Sequence, residues 1–325
     1  MATYYGTYGQ KVQYLTSDPS DPQLGQVWYN STSAVLKVRQ EVATNAWASG
    51  GNLNTGRETM GDFGTQTSSI AAGGNNGSDL TSSESYNGTS WTNTASLNTA
   101  RRDIGGAGVS NTSGILFGGN QPVKSATESW NGTSWTTVNS LNTARAEIAG
   151  IGTQTAAIAA GGNPGPGTAT NITESWNGTS WTSLPATLPT SVRNAASSGT
   201  QTAGLIFGGV ATAVTGVTQS WNGSTWSTPP GTLNTARRDL GGSSSGTQTA
   251  ALAFGGNINP PIVASTEIWN GSTWTATTNM ATARTGLGGS GTQTSALGFG
   301  GGPPTTAVTE EWTGTQTLSR TVTVS

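Results

Sequence analysis

Short apolar runs punctuate this chain, and each one ends in a pair of glycines. SSIAAGG, GILFGG, AAIAAGG, AGLIFGG, AALAFGG and SALGFGG bring the first glycine of the pair to Gly73, Gly118, Gly161, Gly208, Gly255 and Gly300. Runs this short, bounded by turn residues, predict buried strands. A tight polar turn precedes most of them: GTQT begins at 64, 152, 199, 246 and 291. A glycine-rich stretch such as IGGAGV comes before the turn and predicts a strand that suits a crowded axis. After each glycine pair a variable loop leads to a segment of the type TESWNGTSWT. Its Asn-Gly predicts a hairpin in which both turn residues take positive φ. No segment keeps a helical period. The chain therefore divides into units of four strands, repeating at intervals of 45, 43, 47, 47 and 45 residues.

Fixed positions recur within the unit. A Glu, once a Gln, follows each glycine pair: Glu84, Glu128, Glu174, Gln219, Glu267 and Glu310. Two residues on stands an aromatic: Tyr86, Trp130, Trp176, Trp221, Trp269 and Trp312. A second Trp follows at 91, 135, 181, 226 and 274, but the sixth unit has Thr317 there. The missing residue is Trp47, which lies ten residues before Arg57 as Trp91 lies before Arg101. Residues around Val42–Ser49 are thus expected to pair with Thr309–Trp312 and complete the last unit, tying down both ends. An Arg precedes each glycine pair: Arg57, Arg101, Arg145, Arg193, Arg237 and Arg284.

Four strands per unit of this length is the pattern of a β-propeller blade. The expected fold is all-β: a six-bladed propeller with four strands per blade, closed by an N-terminal strand. It would occupy residues 41–312, with a connector or attachment segment at 1–40 and a C-terminal β tail at 313–325. Within the connector, QVWYN and VLKVR can pair as a hairpin, and SDPSDP reads as extended chain. LSRTVTVS alternates like a strand.

Composition narrows the chemistry. The chain has 325 residues, 48 Gly, 12 Trp, no Cys and no His. Triads, thiol nucleophiles and zinc or copper sites needing N or S ligands are excluded. No cofactor or metal is expected, and any tightly bound ion would be a hard cation on oxygens, such as Ca²⁺. A net charge of −2 gives no reason to expect nucleic acid. No apolar run is long enough for membrane insertion. A catalytic group is needed once, so Arg and Glu repeated six times read as structural pairs. The remaining carboxylates, among them Asp18, Asp62, Asp79, Asp103, Glu147 and Asp239, suggest no acid–base pair. The Asn-Gly-Thr/Ser triplets read as turns before they read as glycosylation sites.

The order Arg, Gly-Gly, aromatic, Trp resembles the kelch repeat, with Trp in place of the usual Tyr in five units. GQVWYNSTSAVLKV, NTAR, GTQTAALAFGG and WNGTSW together resemble kelch-like virion proteins of tailed bacteriophages, particularly of marine bacteria. The resemblance implies a non-enzymatic, multi-copy structural protein on the virion surface, associated with tail or capsid. Residues 1–40 and 313–325 would contact other virion proteins. The loops after Gly-Gly differ from unit to unit, and loops on a rigid scaffold carry function. The expected recognition face therefore contains Asn75, Asn76, Asp79, Asn120, Lys124, Asn163, Asn257 and Asn259, suited to a host glycan or surface protein. A secreted bacterial kelch-type adhesin is the alternative, and a carbohydrate-active enzyme stands behind it.

Overall fold

A computed structural model of the chain describes residues 12–42, 44–120, 122–165 and 167–322. Among these no helix occurs, and the strands form seven four-stranded sheets. The architecture is all-β and propeller-like. The chain divides into two compact units, one of residues 1–45 with 313–325 and one of residues 46–312.

The larger unit holds six sheets built alike. The first runs Gly61–Thr65, Ser68–Ala72, Ser83–Tyr86 and Trp91–Thr94, each strand antiparallel to the next. The next four sheets repeat this order through Trp274–Thr277. The sixth consists of Gly288–Thr292, Ser295–Phe299 and Thr309–Thr313, and its outer strand is Ala46–Ser49. The glycine-rich strand is innermost, where neighbouring backbones approach closely. A Cβ on Gly150 would stand 2.1 Å from the Gly106 carbonyl oxygen of the neighbouring sheet.

Aromatic residues fill the seams between sheets. Phe117 of the second sheet packs on Trp181 of the third at 4.8 Å between ring centres, and Phe207 of the fourth packs on Trp274 of the fifth at 4.8 Å. Six buried clusters lie between successive sheets, and one of them joins Leu297 and Phe299 of the sixth sheet to Tyr86 and Trp91 of the first. In every sheet of this unit but the second, where the Trp135 indole N–H finds no partner, the outer Trp also donates its indole N–H backward to a Thr hydroxyl. Trp181 reaches Thr127 at 3.1 Å, Trp226 reaches Thr173 at 3.0 Å, and Trp274 reaches Thr218 at 2.9 Å. Trp47 does the same from the sixth sheet to Thr266 of the fifth at 3.0 Å, and Trp91 from the first sheet to Thr309 of the sixth at 3.0 Å.

Two turn expectations need correction. In the hairpin turns only glycine has positive φ, 92° at Gly88 and 94° at Gly132. The loop is four residues long, and the Asn side chain holds it: Asn131 Oδ1 accepts from the Thr133 and Ser134 amides at 3.0 and 2.9 Å. A longer loop removes the need for positive φ at Asn. The Gln of GTQT, in turn, does not serve its own turn. Gln201 Nε2 donates to the Trp176 carbonyl of the preceding sheet at 2.5 Å, Gln248 Nε2 to Trp221 at 2.5 Å, and Gln66 Nε2 to Trp312 at 2.7 Å.

The smaller unit is one sheet made from both ends of the chain. Gln13–Leu15 runs parallel to Val27–Asn30, which is antiparallel to Val35–Val42, itself antiparallel to Gln316–Thr321. The C-terminal tail thus finds its partner in Val35–Val42, which the repeat spacing did not assign. Asp18, just after the first strand, accepts from Trp28 Nε1 at 3.1 Å, Asn30 Nδ2 at 2.7 Å and Lys37 Nζ at 2.6 Å. The Lys37 bond leads in holding the Asp18 carboxyl down at about 2.

Candidate binding site

Five of the six repeated arginines are buried in their own sheets. Arg57 pairs with Glu84 at 2.8 Å, Arg101 with Glu128 at 2.9 Å, Arg145 with Glu174 at 2.8 Å, Arg237 with Glu267 at 2.5 Å and Arg284 with Glu310 at 2.9 Å. Burial pulls each guanidinium's pKa down, and the facing carboxylate opposes it. The guanidinium also binds backbone: Arg145 Nη1 donates to Gly161 O at 2.6 Å and Ile172 O at 3.1 Å. The carboxylate accepts the Asn amide of the Asn-Thr-Ala-Arg segment, as from Asn142 to Glu174 at 2.7 Å.

Arg193 is the exception and corrects the sequence reading. The slot in its sheet belongs to Val192, which is buried. Gln219 there exchanges bonds with Thr190, accepting its amide at 2.8 Å and donating to its carbonyl at 3.1 Å. Arg193 instead pairs with Glu147 of the preceding sheet at 2.9 Å.

Two residues beyond each slot, six residues form a cycle of backbone hydrogen bonds. Asp103 donates to Thr59 at 2.7 Å, Glu147 to Asp103 at 2.9 Å and Asn194 to Glu147 at 3.1 Å. Asp239 donates to Asn194 at 3.0 Å, Gly286 to Asp239 at 2.8 Å and Thr59 to Gly286 at 2.7 Å, which returns to the start. All six have positive φ, between 51° and 62°. That conformation costs an L-residue energy, least for Asn and Asp, and the reciprocal bonds hold it.

The cycle surrounds the mouth of a depression of about 300 Å³, which Glu58, Arg238, Asn257 and Thr285 also line. Four carboxylates line it, Glu58, Asp103, Glu147 and Asp239, where the sequence suggested no acid–base pair among the leftover acids. Burial first, then the Glu147 charge, pushes the Asp103 carboxyl up to about 6. Burial likewise brings Asp239 to about 6 against the nearby Arg238. Guanidinia stand at the rim: Arg102 lies 3.6 Å from Asp103 and 3.4 Å from Asp79, and Arg238 lies 3.7 Å from Asp239.

Below the mouth the cavity is apolar, walled by Met60, Ile104, Ile148, Ala195, Leu240 and Leu287. Deeper still it meets one residue from each inner strand: Asp62, Gly106, Gly150, Ser197, Gly242 and Gly289. Five are small and one is a carboxylate. Asp62 Oδ2 accepts the Gly289 amide at 2.8 Å. Burial pushes its carboxyl up to about 7, with that amide pulling the other way.

The expected recognition residues stand at the same end of the sheets, bridged to the residues that precede the cycle's members: Glu58 to Asn75, Arg102 to Asn120 and Arg238 to Asn257. Several also serve the turns of their own loops. Asn75 Oδ1 accepts the Gly77 amide at 3.0 Å, Asn163 Oδ1 the Gly165 amide at 3.0 Å, and Asn257 Oδ1 the Asn259 amide at 2.6 Å. Asn259 has a φ of 68°. Asp79 bonds Asn75 Nδ2 at 3.1 Å, Asn120 bonds Asp103, and Lys124 donates its amide to Gly119 at 2.8 Å. Asn76 is exposed. The structure brings Asn120, Asp79 and Asn257 to the mouth region and leaves Asn76 and Lys124 on the loops around it.

The cycle and Asp62 were not singled out in the sequence. Their signal was a constant offset, two and five residues past the slot, visible once Val192 is taken as the fourth slot. The chain matches no protein-family model and no curated protein.

Proposed function

We propose that residues 46–312 form a closed six-bladed kelch-like propeller, and that the chain is a non-enzymatic structural protein of a tailed-phage virion. Its loop end, with the charged mouth at the centre, takes a host-surface glycan. The sheet made of both termini joins it to other virion proteins in a multi-copy assembly. The observation that carries the binding reading is the division of roles within the unit. The repeated Arg, Glu, Gln and Trp side chains are engaged inside or between sheets, whereas chemistry that differs from unit to unit gathers at one end. Contacts from the sixth sheet back to the first, through Trp91 and Gln66, support the closed ring. The virion assignment rests on the sequence resemblance.

Two measurements test this reading. Mass spectrometry of purified virions from the virus encoding the chain should find it among the structural proteins; its absence there overturns the virion role. A glycan array probed with the full chain should give hits that are lost when the Asn257–Ile262 loop is replaced by that of another unit. Hits that survive loop exchange at every unit would remove recognition from this face.

A further inference from the structure

The sheet made from both chain ends has two faces that differ in kind. On one, Asp18 collects Trp28, Asn30 and Lys37, and Trp28 is fully buried. On the other, cross-strand register sets Tyr14, Tyr29, Leu36 and Val322 in one row, and Val27, Val38 and Arg320 in the next. Val322 joins its row through its amide, which donates to Leu36 O at 2.8 Å. Tyr14 and Tyr29 stack at 5.0 Å between ring centres. This second face is open. Tyr14 is 76% exposed and Val322 37%, while Val27, Tyr29, Leu36 and Val38 are only half-buried. Among the described residues of the larger unit, Val109 alone is a large hydrophobic with such exposure. Arg320 is the one charged residue on the face among those described.

We propose that this face packs against the same face of a second copy, about a two-fold axis parallel to the strands. A sheet apolar on one face needs a second layer to bury it, and here the covered face is the more polar one. The match is internal to the face. A two-fold along the strands reverses the strand order and keeps each row level. Tyr14 then meets the partner's Val322, Tyr29 the partner's Leu36, and Val27 the partner's Val38. Each apolar side chain finds an apolar counterpart, and every contact occurs twice, as an isologous interface requires. Arg320 lies on an outer strand, beside the partner's Tyr14, where its stem can pack and its guanidinium can reach the ring or water. The size is also sufficient. Four strands about 4.8 Å apart and roughly 25 Å long cover about 500 Å² per copy, or about 1,000 Å² between two, the lower bound for a specific interface. The pairing deepens the reading of this sheet as the joint of a multi-copy assembly and rests on it only for that role. Virion mass spectrometry tests the assembly, whereas self-association in solution tests the pairing.

The test is sedimentation velocity on the full chain from about 1 to about 100 µM. A concentration-dependent dimer is expected. Tyr14→Lys, at a site too exposed to affect folding, puts a cation beside the partner's Arg320 and should weaken the dimer by about tenfold or more. Val38→Glu should weaken it as much, with an unchanged circular dichroism spectrum. A monomer throughout, or a dimer indifferent to Tyr14→Lys, overturns the proposal. Because the chain has no cysteine, the axis can be read by mixing Tyr14→Cys chains with Val322→Cys chains under mild oxidation. The two positions stand at opposite edges of one sheet, so a bond between them joins two copies. The mixed disulfide should form faster than either variant's disulfide with itself. Faster self-disulfides overturn the arrangement.

Discussion

The third and fourth sheets of the larger unit solve one packing problem in two ways. In the third, Arg145 and Glu174 are fully buried as an ion pair at 2.8 Å. In the fourth, Val192 and Gln219 fill the same places, both buried, and the amide turns to Thr190. Neither sheet keeps half of the ion pair. A buried charge without its partner costs more than the pair contributes, so the two positions change together. The fourth sheet also shows what the amide must do once the guanidinium is gone: it supplies its own donor, which a carboxylate lacks.

Breaking the pair in the third sheet should have the largest effect. Arg145→Val leaves Glu174 buried with its guanidinium removed and should cost about 3–5 kcal/mol, read from chemical denaturation. Installing half a pair in the fourth sheet comes next. Gln219→Glu places a carboxylate beside Val192 and the Thr190 carbonyl, and should cost roughly 1–3 kcal/mol. The pH midpoint of that loss should rise with the new group's pKa, and a variant as stable as the parent at pH 8 would mean the slot is wetter than its burial implies.

Contacts between sheets should be worth less than the pair within one. Gln154 donates to Trp130 O at 2.5 Å and Ser129 Oγ at 3.0 Å, and accepts from Ser113 Oγ at 2.8 Å. Gln154→Ala should cost about 1–2 kcal/mol, and an effect equal to that of Arg145→Val would place the unit's stability in its seams instead.

A dependence on pH is also expected, read as a melting temperature and not as the cost of a variant. Asp62, at about 7, and Asp103 and Asp239, at about 6, all lie above the ordinary carboxyl value of 3.8. Between those limits the folded state binds more protons than the unfolded one. Their contribution is therefore complete below the unfolded value and is lost as pH rises through 6 to 7. The melting temperature should be a few degrees higher at pH 5 than at pH 8, and Asp62→Asn should flatten the slope. A melting temperature that rises over that interval would contradict the burial of these groups.

Much of the scaffold was legible because its determinants repeat. The strand order follows from glycine pairs and turn residues, and the offset of Trp47 from Arg57 pointed to an outer strand for the sixth sheet, where Ala46–Ser49 is found. Arg193 carries the charge of the repeat but not its slot, which Val192 fills. The apolar anchor is the better guide: Leu97, Leu141 and Leu233 each stand four residues before the slot, and four residues after Leu188 is Val192. In the sequence the Gln of GTQT is one residue of a polar turn, because its partner, a carbonyl on the preceding sheet, is far away in sequence. The cavity was illegible for a different reason. Asp103, Glu147 and Asp239 are unremarkable singly, and only the cycle of backbone bonds brings them together. Asp62 stands where most sheets have glycine, and a single departure carries meaning only when the slots are aligned.

A double-variant cycle on the third sheet tests most directly whether the repeated charges are a joint packing device. Denaturation would be compared for Arg145→Val, Glu174→Gln and the two combined. Each single change should cost several kcal/mol, and the combination, which reproduces the fourth sheet, should lie within about 1–2 kcal/mol of the parent. Costs that simply add would contradict the account, because Arg145 and Glu174 would then be stabilising the sheet independently.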